Sequence, residues 1–114
     1  DRRHSMLRAY LNSAAPNDRE VARGIRPVLE AFLRVAFPEH FPPGTMLGHF
    51  LETGRQRVAT PGEILKSHDI SELRDIVEYA NKFHHDTNAA WETETINDGE
   101  LKGFVERTLT FAKR

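Results

Sequence analysis

The chain has 114 residues, of which 39% are hydrophobic and 29% are charged, and its formal net charge at pH 7 is −1. This length predicts one domain with a modest core, and the near-zero net charge gives no overall electrostatic signal for nucleic-acid binding. The sequence contains no cysteine and no apolar run approaching the roughly 18 residues that span a bilayer, which excludes disulfides, zinc–thiolate sites, thiol catalysis and a transmembrane helix.

The first part of the chain carries two helix signals. Residues 5–13 predict a first helix. Asn17 precedes Glu20 by three residues, which is the spacing of a helix-capping box. An apolar stripe at 3- and 4-residue steps then runs through residues 21–36. Because Pro38 blocks its continuation, we expect the second helix to end just before that residue.

Similar signals recur further along the chain. Thr45 is the expected cap of a short third helix. The segments Thr60–Glu63, Asp69–Glu72 and Asn97–Glu100 each place a capping residue three positions before a Glu, so each predicts a helix start. After Asp69, the residues that share one helical face are Ile70, Leu73, Ile76, Val77, Ala80 and His84.

These signals predict an all-α fold, a compact bundle of four to five helices in a single domain of residues 1–114, with residues 1–16 as a peripheral helix and linker. Charge is uneven along this domain. Residues 1–34 contain seven Arg and four acids, whereas residues 86–100 contain five acids and no Lys or Arg. The two stretches are interpreted either as solvated surfaces of opposite sign or as a basic patch over an anion site and an acidic surface.

Arg26 and Glu30 are the first candidate site residues. They are four positions apart on the predicted second helix, a spacing that favours an ordinary ion pair on the helix surface. Arg26 lies on the flank of the apolar stripe rather than opposite it, so its side chain can reach the seam with a neighbouring helix.

Asn81, His84 and His85 form the second candidate group, near the predicted end of a helix. Periodicity places His84 close to the apolar face, as is typical of a core histidine with a satisfied ring nitrogen. His85 lies at the rim, where a helix C-terminus stabilises its cation. The consecutive residues His84, His85 and Asp86 do not converge on one helical face, so no metal site is predicted.

Metal-free cleavage of RNA is a chemistry that these residues could carry out. A histidine can move the 2′-hydroxyl proton, an arginine can hold the scissile phosphate, and a carboxylate can orient either of them. Arg26, Glu30 and His85 supply these three functions. The glycine-rich loops that bind nucleotide phosphates, and the G-x-S-x-G elbow of hydrolases, are absent from the sequence.

Three segments carry a resemblance to a known family: Ile25–Pro38, Glu78–Asn88 and Ile96–Arg114. They resemble the C-terminal segment of large bacterial P-loop ATPases of the RloC/PrrC type, which are phage-defence proteins with an ATPase part similar to the SMC/Rad50 group. The resemblance covers roughly residues 18–114. It implies a HEPN-like helical domain that acts as a metal-independent anticodon nuclease on tRNA in the cytoplasm.

The same resemblance implies roles for individual residues. Arg26 and Glu30 match the family pattern Arg-x-x-x-Glu, His85 matches the histidine that follows much later, and Asn81 is its polar companion, with His84 as the substitute base. The chain begins at Asp1 rather than Met, as expected of a piece excised from a longer ATPase. No cofactor is expected in this fragment, and ATP is expected to bind in the missing part.

The sequence departs from the family at two points. His84 replaces a residue that is often small in related sequences, so either histidine could be the reactive one. The more typical HEPN signature, an Arg followed by a His after four to six residues, occurs as Arg34 and His40, but Pro38 interrupts its helix. Two hypotheses therefore stand. The first is a ribonuclease acting on tRNA or other RNA, with a homodimer expected because HEPN-like sites often form across one. The second is a non-catalytic helical module that docks on its own ATPase core or on a partner protein.

Overall fold

The computed structural model describes residues 2–12 and 17–113, and within these ranges it contains five α-helices and no strand. The helices are α1 (Arg2–Asn12), α2 (Asp18–Ala36), α3 (Leu47–Arg57), α4 (Ser67–Ala80) and α5 (Asp98–Phe111), and a 3₁₀ turn over Asn81–Phe83 follows α4. The predicted all-α bundle is therefore confirmed. Of the described helices, none combines the length and the apolar character that crossing a membrane requires.

Helix α2 is the centre of the bundle. It packs against α1, α4 and α5, whereas α3 packs against α4. The core consists of apolar side chains from all five helices and from Phe41, Leu65 and Phe83 in the connections. Leu7 and Tyr10 of α1 are fully buried in this core. Residues 2–12 thus share the apolar interior with the rest of the chain.

Both asparagine caps form as predicted. The Asn17 side-chain oxygen accepts the Glu20 backbone N–H at 3.2 Å, and its amide donates to the Glu20 carboxylate at 2.7 Å. The Asn97 oxygen accepts the Glu100 N–H at 2.9 Å. The capped helices α2 and α5 begin at the next residue in each case. At the other end, α2 stops at Ala36, two residues before Pro38.

The predicted cap at Thr45 is wrong. Helix α3 begins at Leu47, and its capping position is occupied by Met46, which makes no side-chain capping bond. Thr45 precedes the capping position by one residue. It belongs instead to a turn that its N–H closes by donating to the Pro42 carbonyl at 3.1 Å. This turn contains Gly44 at a φ of 91°, a conformation that glycine adopts without strain.

The helix starts predicted at Thr60 and Asp69 are also wrong. The Thr60 hydroxyl donates to the Arg57 carbonyl at 2.6 Å, so it finishes α3 rather than starting a new helix. The Glu63 carboxylate accepts the Ala59 N–H at 2.9 Å and completes this turn. Helix α4 then begins at Ser67, which places Asp69 inside its first turn instead of at the cap.

The predicted continuation of α4 to His84 is wrong as well. The Thr87 hydroxyl donates to the Asn81 carbonyl at 2.7 Å, and the Asn88 amide donates to the Lys82 carbonyl at 2.8 Å. These side chains occupy acceptors that another helical turn would need, so the α-helix stops at Ala80 and His84 is extended, at φ −123° and ψ 135°.

Candidate functional site

Three arginines of α2 hold the segment of residues 84–97, which we call the α4–α5 loop. Arg19 donates to the Trp91 carbonyl at 3.3 Å and to the Glu94 carbonyl at 2.7 Å. The Arg23 guanidinium lies over the Trp91 ring, 4.6 Å from its centroid. Arg26 pairs with the Asp86 carboxylate. The basic stretch therefore lies against the acidic one across this seam, where Arg26 and Asp86 pair opposite charges.

The pair between Arg26 and Asp86 is bidentate. The two guanidinium nitrogens donate to the two carboxylate oxygens at 3.1 and 3.2 Å. The Arg26 side chain is 14% exposed and that of Asp86 is 50% exposed. The hydrogen bonds from Arg26 lower the pKa of the Asp86 carboxyl, so the pair is charged at neutral pH. Arg26 thus reaches a neighbouring segment, as its position on the flank of the apolar stripe predicts. Its partner is Asp86 and not Glu30, which lies four residues along the same helix.

His84 lies beside this pair and is only partly exposed. Its Nε2 atom is buried and has no hydrogen-bond partner among the described residues, unlike a satisfied core histidine. Burial lowers the pKa of His84 most, the Arg26 charge lowers it further, and Asp86 opposes the shift. The imidazole is therefore neutral at pH 7 and carries a nitrogen that could accept a proton.

The same imidazole lines a cleft of about 540 Å³ beside α1 and α2. The other lining residues are Arg2, Arg3, Met6, Glu20, Arg23, Gly24 and Pro27. A Cβ atom on Gly24 would lie 2.9 Å from the terminal methyl group of Met6, so the glycine leaves room for the end of this side chain. The cleft is lined by three guanidinium groups, one carboxylate and one neutral imidazole, so positive charge exceeds negative charge in its wall, as suits an anion.

The other predicted site residues lie outside this arrangement. Glu30 is half-buried and forms no ion pair with Arg26 or with any other described residue. His85 is exposed, and its ring lies perpendicular to the Trp91 ring with 6.2 Å between the ring centroids. Asn81 acts through its backbone carbonyl, which accepts the Thr87 hydroxyl. The structure therefore brings together Arg26, Asp86 and His84, rather than Arg26, Glu30 and His85.

Asp86 and Arg23 are the two residues that reasoning from the sequence missed. A signal for both was present, because the surplus of Arg in residues 1–34 and the acidic stretch 86–100 are complementary in charge. Charge complementarity does not specify which pair of side chains meets, so this signal could not single out either residue.

Arg34 and His40, the other candidate motif of the sequence, do not lie on one helix. Arg34 lies over the Phe41 ring, 5.8 Å from its centroid, while His40 follows the end of α2 in a turn, so these residues do not form one helical pair. Within residues 2–12 and 17–113, no group of three or more His, Asp and Glu side chains is placed to hold a metal ion.

We expect the pKa of His84 in the folded chain to lie below its ordinary value of 6.5. The variant Arg26→Gln should raise it, because the substitution removes a nearby positive charge and frees the Asp86 carboxylate. Since the folded pKa is depressed, the contribution of His84 to stability is fully present above the unfolded pKa and is lost as the pH falls through the folded pKa. Histidine NMR titration of parent and variant checks the shift, and an unchanged or lower pKa in Arg26→Gln would contradict this electrostatic coupling.

Comparison of the chain with models of protein families, with curated proteins and with solved structures gives no match. The functional evidence consequently comes from the chemistry of the cleft and of the α4–α5 loop. Arg23 and His84 line the cleft directly, and Arg26 and Asp86 hold the loop that carries His84.

Proposed function

We propose that the cleft binds the phosphate groups of RNA and that the chain is a metal-independent ribonuclease domain of the tRNA anticodon nuclease type. In this proposal the domain belongs to an SMC/Rad50-like phage-defence ATPase of the bacterial cytoplasm. The supporting observation is the position of His84, which lines the cleft together with three arginines and has a buried ring nitrogen without a hydrogen-bond partner among the described residues. Guanidinium groups recognise phosphate, and a neutral imidazole accepts a proton.

The proposed reaction is an internal displacement at phosphorus. His84 takes the proton of the ribose 2′-hydroxyl, and the 2′-oxygen attacks the adjacent phosphorus atom. The bond to the 5′-oxygen of the next nucleotide breaks, and this leaving oxygen takes a proton from water. The products are a 2′,3′-cyclic phosphate and a 5′-hydroxyl. Because Nε2 of His84 is buried, this step requires the ring to turn about its Cβ–Cγ bond and expose the nitrogen to the cleft.

The arginines have separate roles in this mechanism. Arg23 lines the cleft and stabilises the charge that develops on the phosphorane oxygens. Arg26 is mostly buried and already paired, so it is a positioning residue that holds the His84 segment through Asp86. Arg2 and Arg3 extend the cationic wall along the RNA backbone. Binding should therefore weaken as salt concentration rises.

The direct test is to incubate the chain with tRNA and with unstructured RNA in the presence of EDTA. We expect cleavage that leaves 2′,3′-cyclic phosphate and 5′-hydroxyl ends, with a reduced rate for Arg23→Gln. Arg55→Gln is the matched control, since Arg55 is an exposed arginine of α3 whose partner is Glu52. Intact RNA, or cleavage that depends on added metal, would overturn the proposal.

A second function, a non-catalytic module that docks on its own ATPase core, is favoured by one observation. Arg19 and Arg26 are occupied in holding the α4–α5 loop, so part of the cationic surface serves the fold. In that case the chain leaves RNA intact but binds the separately prepared ATPase part. Cleavage in EDTA by the chain alone would exclude this function as its sole role.

A further inference from the structure

We propose that the stacked pair of Arg23 and Trp91 is a platform for an unpaired nucleobase, so that the RNA is read as a single strand at this point. This inference rests on the proposed function and deepens it. It assigns a binding role to a tryptophan that takes no part in the proposed reaction.

The Arg23 side chain places a positive charge over the Trp91 ring. The Arg23 guanidinium carbon lies 4.6 Å from the Trp91 ring centroid, which is cation–π stacking distance. The His85 ring lies perpendicular to the Trp91 ring, at an interplanar angle of 88°, so it does not stack flat on the indole. Arginine planes and aromatic rings are the groups on which proteins stack unpaired bases.

Trp91 is held in place by polar contacts rather than by the core. It is the single tryptophan of the chain, it is partly exposed, and it is not among the residues packed into the hydrophobic core. Its carbonyl accepts a hydrogen bond from Arg19, and its N–H donates to the Asn88 carbonyl at 3.1 Å. A large aromatic ring that is fixed by its backbone but left accessible is suited to contact a ligand.

The platform adjoins the cleft through a shared residue. Arg23 lines the cleft and also stacks on Trp91, and the adjacent residues His84 and His85 border the cleft and the platform respectively. A nucleotide whose phosphate lies among the cleft arginines thus has its base beside Trp91. In a duplex that base is stacked and paired, so the platform selects single-stranded RNA or a loop.

The test measures binding of labelled single-stranded RNA by fluorescence anisotropy, using the parent, Trp91→Leu and Trp91→Phe. One stacked base contributes about 5- to 150-fold in affinity, so Trp91→Leu should weaken binding within that range and Trp91→Phe should keep most of it. RNA with abasic sites should bind the parent as weakly as ordinary RNA binds Trp91→Leu. Quenching of Trp91 emission by ordinary RNA, and not by abasic RNA, provides a second measurement on the parent.

Equal binding of ordinary RNA by parent and Trp91→Leu, or of ordinary and abasic RNA by the parent, would overturn the platform. If RNA is still bound and cleaved in that event, the proposed ribonuclease function stands without it. If no RNA binds at all, both fail together. Circular dichroism of Trp91→Leu shows whether the helices remain, and if they do not, the abasic comparison on the parent and Trp91→Phe decides.

Discussion

Replacing His84 by Asn is expected to lower the rate of RNA cleavage by about 100- to 10,000-fold, the usual contribution of a general base. The reason is that His84 alone of the two adjacent histidines lines the cleft, next to Arg23 and the Arg26–Asp86 pair. Asparagine retains polar character but cannot accept the 2′-hydroxyl proton. Single-turnover cleavage in EDTA measures the loss, and circular dichroism establishes that the variant is folded.

His85→Asn is the informative comparison, because the motif resemblance favours His85 as the base and the geometry of the cleft favours His84. His85 is exposed and borders Trp91, so we expect a smaller loss, caused by weaker RNA binding rather than by a slower chemical step. His49→Asn on the exposed face of α3 controls for the removal of any histidine. Full activity of His84→Asn together with an inactive His85→Asn would return the role to His85.

The pH dependence of RNA cleavage is a separate test of His84 as the general base. The base must be neutral to accept a proton, and the surroundings of His84 lower its pKa, so cleavage should persist below pH 6.5 and decline as the pH falls through the folded pKa. In Arg26→Gln this decline should begin at a higher pH, because the lost positive charge raises the pKa of His84. A merely structural role of Arg26 would not move the profile in this direction.

Leu33→Ala is expected to lower the free energy of unfolding by about 2–5 kcal/mol. Leu33 is 0% exposed and lies near the C-terminal end of α2, the helix that contacts α1, α4 and α5. Truncation to alanine removes buried methyl groups and leaves a cavity that rigid neighbours fill only in part. Urea denaturation, followed by the helical circular dichroism signal, measures the change.

Val35→Ala is the matched control on the same helix. Val35 is 83% exposed, so its truncation removes almost no buried surface, and its effect should stay within about 0.5 kcal/mol. If Val35→Ala lowered the free energy of unfolding as much as Leu33→Ala, the end of α2 would have to be buried against another surface, such as a second copy of the chain. Repeating both measurements at several protein concentrations separates these explanations.

The helices whose signals lie within one turn of sequence were predictable. The Asn17 and Asn97 caps each use a side chain and an N–H three residues apart, so no distant residue is needed to decide them. Thr60 has the same local pattern but was mispredicted, because its hydroxyl can serve the preceding helix as well as a following one. Local chemistry lets Thr60 either close the preceding helix or start a following one, and packing selects between these two possibilities.

The candidate site shows the opposite situation. Arg26 and Asp86 are 60 residues apart, and nothing in the periodicity of either segment connects them. The four-residue spacing pairs Arg26 with Glu30 because helix periodicity relates only neighbours on the same helix. The position of His84 depends in turn on where α4 ends. The side chains of Thr87 and Asn88 fix that end by donating hydrogen bonds to the backbone carbonyls that a further helical turn would use.

Four features thus follow from local sequence patterns: the all-α class, the extent of α2, the start of α5 and a titratable group near the end of α4. Helix periodicity and capping are local and act over three or four residues. Helix packing, by contrast, sets the contacts of the α2 arginines with the acidic α4–α5 loop and places His84 rather than His85 in the wall of the cleft. Those outcomes depend on side chains that are far apart in the chain and meet only when the helices pack.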